Sequence, residues 1–371
     1  MAMTSPKRDR AGADGRRPDR VVTTKGEEVF RSFRVESGSN MKPRITSLVA
    51  GSLLAFALFG AATAGPVEDG KAAYARGDYA AAMRLLRSPA VNGSADAQRD
   101  TALMYAQGQG VQQDFAQALI WFRKAAGQGD DLAQYFLGVM YRDGNGVPQD
   151  KPQALAWYRK SADQGFALAQ FDIASMYRHG EGVSKDAAQA AAWYRKAADQ
   201  GYAFAQSNLG VMYGQGDGVP KDDAQALIWF REAANQGEAV ALFNLGLAYD
   251  KGEGVPQDSA QAAVWYRKAA DKGDVSAQIN LGTMYTRGEG VPKDYVLAYM
   301  WADLAASGAQ DDETRELANK NRDNLVRGMS PEQIAAARHM ARGWKPPTSQ
   351  ALRLLRRGRR QTRQSNLWET K

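Results

Sequence analysis

The sequence contains no cysteine and only two histidines among its 371 residues. Without cysteine it can form no disulfide, no thiol nucleophile and no lipid-modified cysteine anchor. His179 and His339 are not spaced as zinc ligands, and no G-x-S-x-G string accompanies them. We therefore expect a protein without enzymatic activity, without a metal and without a cofactor.

Net positive charge is confined to the two ends of the chain. The whole chain carries +7, of which residues 1–44 contribute +5 and residues 345–371 contribute +7, so the segment between them carries −5. A basic tail can bind phosphates or anionic lipid in a salt-dependent way, or it can simply be solvated. We expect no nucleic-acid partner and at most a weak contact of the tail with a membrane surface.

Long apolar runs are also scarce. One run extends from Ile45 to Ala64, follows the short basic segment after Met41, and ends in small residues. This is the pattern of a secretory signal peptide over residues 41–64, which predicts a start at Met41, a disordered extension over residues 1–40, and export to the periplasm or exterior. The alternative is an uncleaved inner-membrane signal anchor at residues 45–64, because the run approaches the roughly 20 residues that span a bilayer.

The centre of the chain repeats itself. Self-similarity at a fixed period indicates stacked structural units, and here the period is 36 residues without drift. The tryptophans that mark it are Trp121, Trp157, Trp193, Trp229, Trp265 and Trp301. Six copies therefore occupy residues 95–309.

Each copy predicts two helices and a turn. In the fourth copy, Ala205, Leu209 and Tyr213 share one helical face, a glycine-rich loop follows, and a second apolar pattern ends at Gly237. Two such helices cannot bury their apolar faces alone, so neighbouring copies must stack. We expect the tryptophans to be buried between copies, with Trp193 and Trp229 contributing more than the terminal ones.

The pattern A-x-x-x-L-G-x-M-Y-x-x-G-x-G-V-x-x-D-x-x-x-A-x-x-W-[YF]-R-K-A-A-x-x-G resembles the Sel-one-like repeat, a branch of the tetratricopeptide superfamily, in its bacterial exported type. The resemblance implies an all-α, right-handed α-solenoid of about seven 36-residue helix-loop-helix repeats with a C-terminal helical cap. It also implies binding of proteins or peptides. Members of the family serve as adaptors in membrane-associated complexes, as secretion scaffolds and as bacterial factors acting on host cells.

The flanks of the six copies fit this architecture. Residues 65–94 match a degenerate N-terminal repeat, and terminal units of solenoids are expected to be atypical. Residues 310–343 predict C-terminal cap helices, the second of which begins with Ser330 as N-cap and Gln333 as its capping-box partner. Residues 344–371 predict a basic, disordered tail.

The G-x-G-V loops have two interpretations. A phosphate-binding loop requires a preceding strand, whereas these glycines follow a helix, which favours a tight turn with positive φ. The aspartates after the loops, Asp222 for example, are expected to cap the second helices. Each loop offers one or two carboxylates, fewer than a calcium ion requires.

The resemblance places the first helix of each repeat on the concave face. The predicted partner-binding residues there are Tyr135, Arg142, Phe171, Arg178, Ser207, Phe243, Ile279 and Arg287. Large apolar side chains on an exposed face would anchor a partner, and arginines would clamp carboxylates. The variation of these positions between copies is also what an unconstrained surface would show, and the arginines are equally explained as helix-end cations favoured by the macrodipole.

These observations favour a monomeric, non-catalytic interaction scaffold of the cell envelope or exterior, which binds a peptide or protein in its concave groove. One alternative is a cell-envelope hydrolase or β-lactam-interacting protein like some cysteine-bearing relatives, against which the missing cysteines argue. Another is binding of an anionic polymer or membrane surface through the basic tail.

Overall fold

A computed structural model of the chain describes residues 65–345, and all regular structure within that range is α-helical. The predicted signal sequence, the N-terminal extension and all but the first two residues of the predicted tail lie outside the described residues. The helices are α1 (Pro66–Ala75), α2 (Tyr79–Val91), α3 (Ala95–Gln107), α4 (Phe115–Gly127), α5 (Asp131–Asp143), α6 (Lys151–Asp163), α7 (Ala167–His179), α8 (Ala187–Asp199), α9 (Ala203–Gln215), α10 (Asp223–Asn235), α11 (Ala239–Lys251), α12 (Ser259–Ala270), α13 (Val275–Arg287), α14 (Tyr295–Gly308), α15 (Asp312–Val326) and α16 (Pro331–Gly343).

Consecutive helices pack as pairs. Each first helix, α5 for example, packs along the second helix of its own repeat, α6, and also against the second helix of the preceding repeat, α4. The same two contacts recur from α3 to α14, so each repeat is stabilised by its neighbours, as stacked repeats require. The predicted all-α solenoid is confirmed.

The second helices begin at a recurring aspartate. The Asp222 carboxylate accepts a hydrogen bond from the backbone N–H of Gln225 at 2.9 Å, which satisfies one of the free donors at the start of α10. The aspartates in the other five repeats cap their helices in the same way. The prediction of capping aspartates is therefore confirmed.

The glycine pair of each loop serves two purposes. Gly216 ends α9 with a left-handed φ of 70°. Gly218, also left-handed, lies against the start of α8 in the preceding repeat, where an added Cβ would stand 2.2 Å from the Ala187 carbonyl carbon. The loops are therefore tight turns, as expected, and their second glycine also allows adjacent repeats to approach.

In the first five repeats, the core between the paired helices is built around the aromatic residue that follows the tryptophan. Phe230 is completely buried, and its ring lies where a Cβ on Gly210 of α9 would come within 2.7 Å of it. The same position is occupied by Phe122, Tyr158, Tyr194 and Tyr266, all buried. This small-to-large contact fixes how closely the two helices of a repeat approach.

The expectation for the tryptophans is wrong. Trp193 and Trp229 are only partly buried, whereas the terminal Trp301 is completely buried. In the first five repeats the tryptophan lies on the second helix next to the buried aromatic residue and keeps part of its surface exposed. In the sixth repeat the C-terminal segment covers it. Trp344 stacks edge-on against Trp301 with ring centroids 6.1 Å apart.

Helix pairs also lie at both ends of the six repeats. At the C-terminal end, Leu325 of α15 and Ala337 of α16 pack around Tyr299 of α14. Helix α16 begins with the capping box predicted at Ser330 and Gln333. Across residues 65–345, the structure contains no helix with both the length and the apolarity of a membrane span.

Candidate interaction surfaces

Five of the predicted groove residues occupy one recurring position of the first helices, which we call the first-helix row: Tyr135, Phe171, Ser207, Phe243 and Ile279. This row is buried. Tyr135 and Phe171 are 2% exposed, and Phe243 is 1% exposed. Ser207 and Ile279, from the same row, are also buried. The expectation that these side chains are exposed on the concave face is wrong, because a side chain without accessible surface has nothing to offer a partner.

The physical reason is that side chains of this row contact the residue that precedes the first helix of the next repeat. The ring of Tyr135 packs edge-on against Phe166 with centroids 5.2 Å apart, and Phe171 packs against Tyr202 at 5.3 Å. Phe166 and Tyr202 each stand 31 residues further along, immediately before the next first helix. Tyr135 and Phe171 therefore fill the junctions between repeats, whereas Phe243 packs against Tyr266 of its own repeat.

Other junctions use polar pairs at the same two positions. In the first repeat, Arg99 donates to the Asp130 carboxylate at 2.8 Å. In the fourth, Ser207 faces Glu238, and burial raises the pKa of that carboxyl although the backbone N–H groups at the start of α11 donate to it. At these four junctions, from the first repeat to the fourth, the side chain of the row matches the residue 31 positions further along in polarity. A comparison of positions 31 residues apart would have revealed this pairing in the sequence.

The three predicted arginines have carboxylate or amide partners within the chain. Arg142 donates to the Asp143 carboxylate at 2.7 and 2.9 Å, and Arg178 lies 3.4 Å from the Asn208 side-chain oxygen. Arg287 is the most exposed, with Glu289 at 3.8 Å. Their role as partner contacts stays a prediction.

The second helices present a different surface, whose repeating pattern in the sequence indicates packing and gives no sign of a binding site. On repeats one to five, one face of the second helix carries an aliphatic residue or alanine, then an arginine three positions later and, in four repeats, a lysine after it. We call this the second-helix face: Ile120, Arg123 and Lys124; Ala156, Arg159 and Lys160; Ala192, Arg195 and Lys196; Ile228, Arg231 and Glu232; Val264, Arg267 and Lys268. Ile120, Ile228 and Val264 are 45%, 47% and 48% exposed.

Tryptophan rings lie beneath the lysines of this face. The ammonium group of Lys160 is 3.9 Å from the centre of the Trp157 ring, and that of Lys268 is 3.6 Å from the Trp265 ring. Lys124 and Lys196 make the same contact with the tryptophans of their own helices. These cation–π contacts hold the charged groups over a partly exposed aromatic surface.

Three of the five arginines of the face donate hydrogen bonds to tyrosines of the following repeat. Arg123 donates to the Tyr141 hydroxyl at 2.8 Å, and Arg159 donates to the Tyr177 hydroxyl at 2.6 Å. The third repeat has the same contact, from Arg195 to Tyr213. The guanidinium groups are therefore oriented by the stacking of the repeats.

Within residues 65–345, no group of three or more histidine, aspartate or glutamate side chains is arranged to hold a metal ion. His179 lies at the end of α7, within reach of Ser175 on the same helix.

A family model for the Sel1 repeat matches six consecutive segments of the chain: residues 95–130, 131–166, 167–202, 203–238, 239–274 and 275–309. These segments cover more than half of the sequence. The chain belongs to the Sel1 repeat family. Sel1 repeat proteins generally mediate protein–protein interaction, and the family is typically a non-enzymatic repeat scaffold.

Solved Sel1-type structures resemble the chain. One is a protective antigen of uropathogenic Escherichia coli with an SLR fold, 37% identical, with a TM-score of 0.68 over 74% of this chain and 59% of that one. Another is a Sel1 repeat protein from Oxalobacter formigenes, 31% identical, with a TM-score of 0.61 over 67% of this chain and 99% of that one. The chain thus spans about 59% of the antigen's length. A search of curated proteins found no match.

The sixth Sel1 repeat departs from the other five on its second helix. Met300 takes the position of Ile120 and is buried in the same apolar cluster as Ala341 of α16. The arginine and lysine positions hold Asp303 and Leu304. The second-helix face therefore ends where the C-terminal helices pack against α14.

Proposed function

We propose that the protein is a non-catalytic interaction scaffold, exported to the cell envelope or exterior, that binds a partner protein along its second-helix face. The observation that carries this proposal is the exposure of Ile120, Ile228 and Val264 beside arginines and partly exposed tryptophans. Arginine and tryptophan are enriched among the residues that contribute most to binding at protein interfaces. Their position beside exposed aliphatic residues gives this face the composition of an interface.

We choose the second helices because the large side chains predicted to bind on the first helices are buried in the core. Tyr135, Phe171 and Phe243 are the aromatic side chains predicted to line a groove on the first helices, and all three are enclosed by neighbouring side chains. The second helices keep their aliphatic residues at the surface in three of the first five repeats. Export is supported by the signal-peptide pattern of residues 41–64.

A pull-down from envelope extract tests the proposal. The bait is the full chain, and the test variant is Ile120→Ser/Ile228→Ser/Val264→Ser, which removes the apolar contacts without touching the core. The matched control is Leu85→Ser/Val91→Ser/Met340→Ser, three exposed apolar residues elsewhere in the solenoid.

We expect a partner that the wild type and the control retain and the test variant loses. All three proteins should give the same far-UV circular dichroism and melting temperature. A partner retained equally by the test variant would move binding away from the second-helix face, and the proposal would be wrong.

A further inference from the structure

The second-helix face concentrates positive charge on a solenoid that is otherwise acidic. Nine of its ten arginine and lysine positions hold a cation, and Glu232 is the exception. Three acidic residues follow at or just after the ends of these helices, Asp163, Asp199 and Asp271, of which Asp271 accepts from Arg267 at 3.1 Å. The cations still outnumber the carboxylates, although residues 45–344 together carry −5.

The orientation of the arginines suits carboxylates. Because one terminal nitrogen of Arg123 and of Arg159 is held by a tyrosine of the next repeat, each guanidinium keeps a defined direction while its other N–H groups stay available. A fixed planar guanidinium binds a carboxylate with two parallel hydrogen bonds and loses little side-chain entropy in doing so.

The apolar part of the face points to a protein segment. Ile120, Ile228 and Val264 lie one helical turn before the arginines, so a partner that reaches the cations also meets aliphatic surface. At the sixth repeat the chain shows a helix docked in this region: α16 packs against α14, where Met300 and Leu304 replace the aliphatic and lysine positions. The occupant of the first five repeats must instead complement cations.

We propose that the second-helix face binds an acidic segment of a partner protein, whose carboxylates pair with the arginines and lysines and whose apolar side chains contact Ile120, Ile228 and Val264. This inference rests on the proposed function and adds to it the chemistry of the partner.

Fluorescent peptides of about 20 residues test the inference, a length that crosses several repeats when extended. One peptide has leucine at every fourth position with glutamate between, and its counterpart has glutamine in place of glutamate. Both are titrated against the full chain by fluorescence anisotropy at two salt concentrations. Tryptophan emission provides a second readout, because the lysines of the face lie on tryptophan rings.

Two charge-reversed variants separate the face from net charge. The face variant is Lys124→Glu/Lys160→Glu/Lys196→Glu/Lys268→Glu. The control variant is Lys185→Glu/Lys221→Glu/Lys272→Glu/Lys293→Glu, four exposed lysines in the segments between helices. Both carry the same total charge and both retain the basic tail.

We expect the glutamate peptide to bind about tenfold or more tightly than the glutamine peptide, with affinity falling as salt rises. The face variant should lose about tenfold or more, and the control variant a clearly smaller factor. Equal losses in the two variants, or equal binding of the two peptides, would overturn the inference. So would face-dependent binding of phosphatidylserine vesicles or duplex DNA in the absence of peptide binding.

The failure of this inference can be told from the failure of the proposed function. If the pull-down partner is lost with the three-serine variant but retained by the face lysine variant, the scaffold function stands and the acidic chemistry is wrong. If neither variant changes the captured partner, both proposals fail.

Discussion

The contact between Phe171 and Tyr202 shows what selects a side chain in the first-helix row. The two rings meet edge-on at 5.3 Å across a repeat junction, whereas the first junction joins Arg99 to Asp130 with a charged hydrogen bond. Both solutions satisfy the same requirement, because a buried side chain needs either apolar contact or a hydrogen-bonded counter-charge. A position that varies between repeats can therefore be as constrained as one that does not.

Exchange of one junction type for the other tests this interpretation. Phe171→Arg places a cation against Tyr202 without the junction carboxylate that Asp130 supplies to Arg99, so we expect the free energy of unfolding to fall by about 3 kcal/mol or more. Adding Tyr202→Asp should recover a substantial part of the loss, since it recreates the Arg99–Asp130 pair. Urea unfolding of the wild type, the two single variants and the double variant measures the coupling.

The informative control is Tyr202→Asp alone, which removes the ring contact while it supplies an N-cap that α9 lacks. A coupling energy near zero across the four proteins would show that the two positions do not act as a pair.

At the scale of the helices, the loop between the two helices of a repeat also packs against the preceding repeat. Gly216 and Gly218 have nearly the same φ, 70° and 71°, so the backbone strain of a substitution is the same at both. Their surroundings differ: a Cβ on Gly216 meets Lys221 at 3.3 Å, whereas a Cβ on Gly218 overlaps the Ala187 carbonyl group at 2.2 Å. The first glycine ends a helix and the second sets a distance between repeats.

We therefore predict unequal costs for the same substitution. Gly216→Ala should lower the free energy of unfolding by about 1–2 kcal/mol, the cost of a left-handed alanine. Gly218→Ala should cost about 1–3 kcal/mol more, because backbone atoms of α8 must also shift. Chemical denaturation of both variants measures the difference. Equal costs would mean that the loop adjusts without disturbing the preceding repeat.

Local features of the helices could be predicted from patterns within one helix, whereas contacts between repeats require a comparison of positions 31 residues apart. Asp222 caps its helix and Gly216 ends another through groups within a few residues, so their spacing was sufficient. Burial of Tyr135 depends on Phe166, which is the N-cap residue of the first helix of the next repeat, and no pattern within one helix specifies that contact. Trp301 is buried because Trp344 covers it.

At the scale of the whole molecule, the net charge of a long segment does not show that its cations are concentrated on the second-helix face. Residues 45–344 carry −5, which favoured a mildly acidic solenoid with basic ends. The helical repeat instead brings Arg123 and Lys124 and their counterparts onto one side of successive second helices. The net charge of a long segment therefore does not reveal a local excess of cations on one side of these helices.

The C-terminal helices close the apolar end of the solenoid. Ala305 and Ala306 of α14 pack against Ala318 of α15, and Tyr299 packs against Leu325 and Ala337. A stack of repeats has an apolar face at its end unless a terminal element covers it. Helices α15 and α16 occupy that position here.

Removal of α15 and α16 should therefore destabilise the remaining repeats and also expose the apolar face of α14. We predict that a chain ending at residue 309 melts about 5 °C or more below a control ending at residue 345, a shift that about 2 kcal/mol produces in a protein of this size. It should also self-associate as its concentration rises, because the uncovered face of α14 is apolar. Thermal circular dichroism and light scattering after size exclusion measure both effects. If the shorter chain melted with the control and stayed monomeric, α14 would be stable without a cap, and the role assigned to α15 and α16 would be wrong.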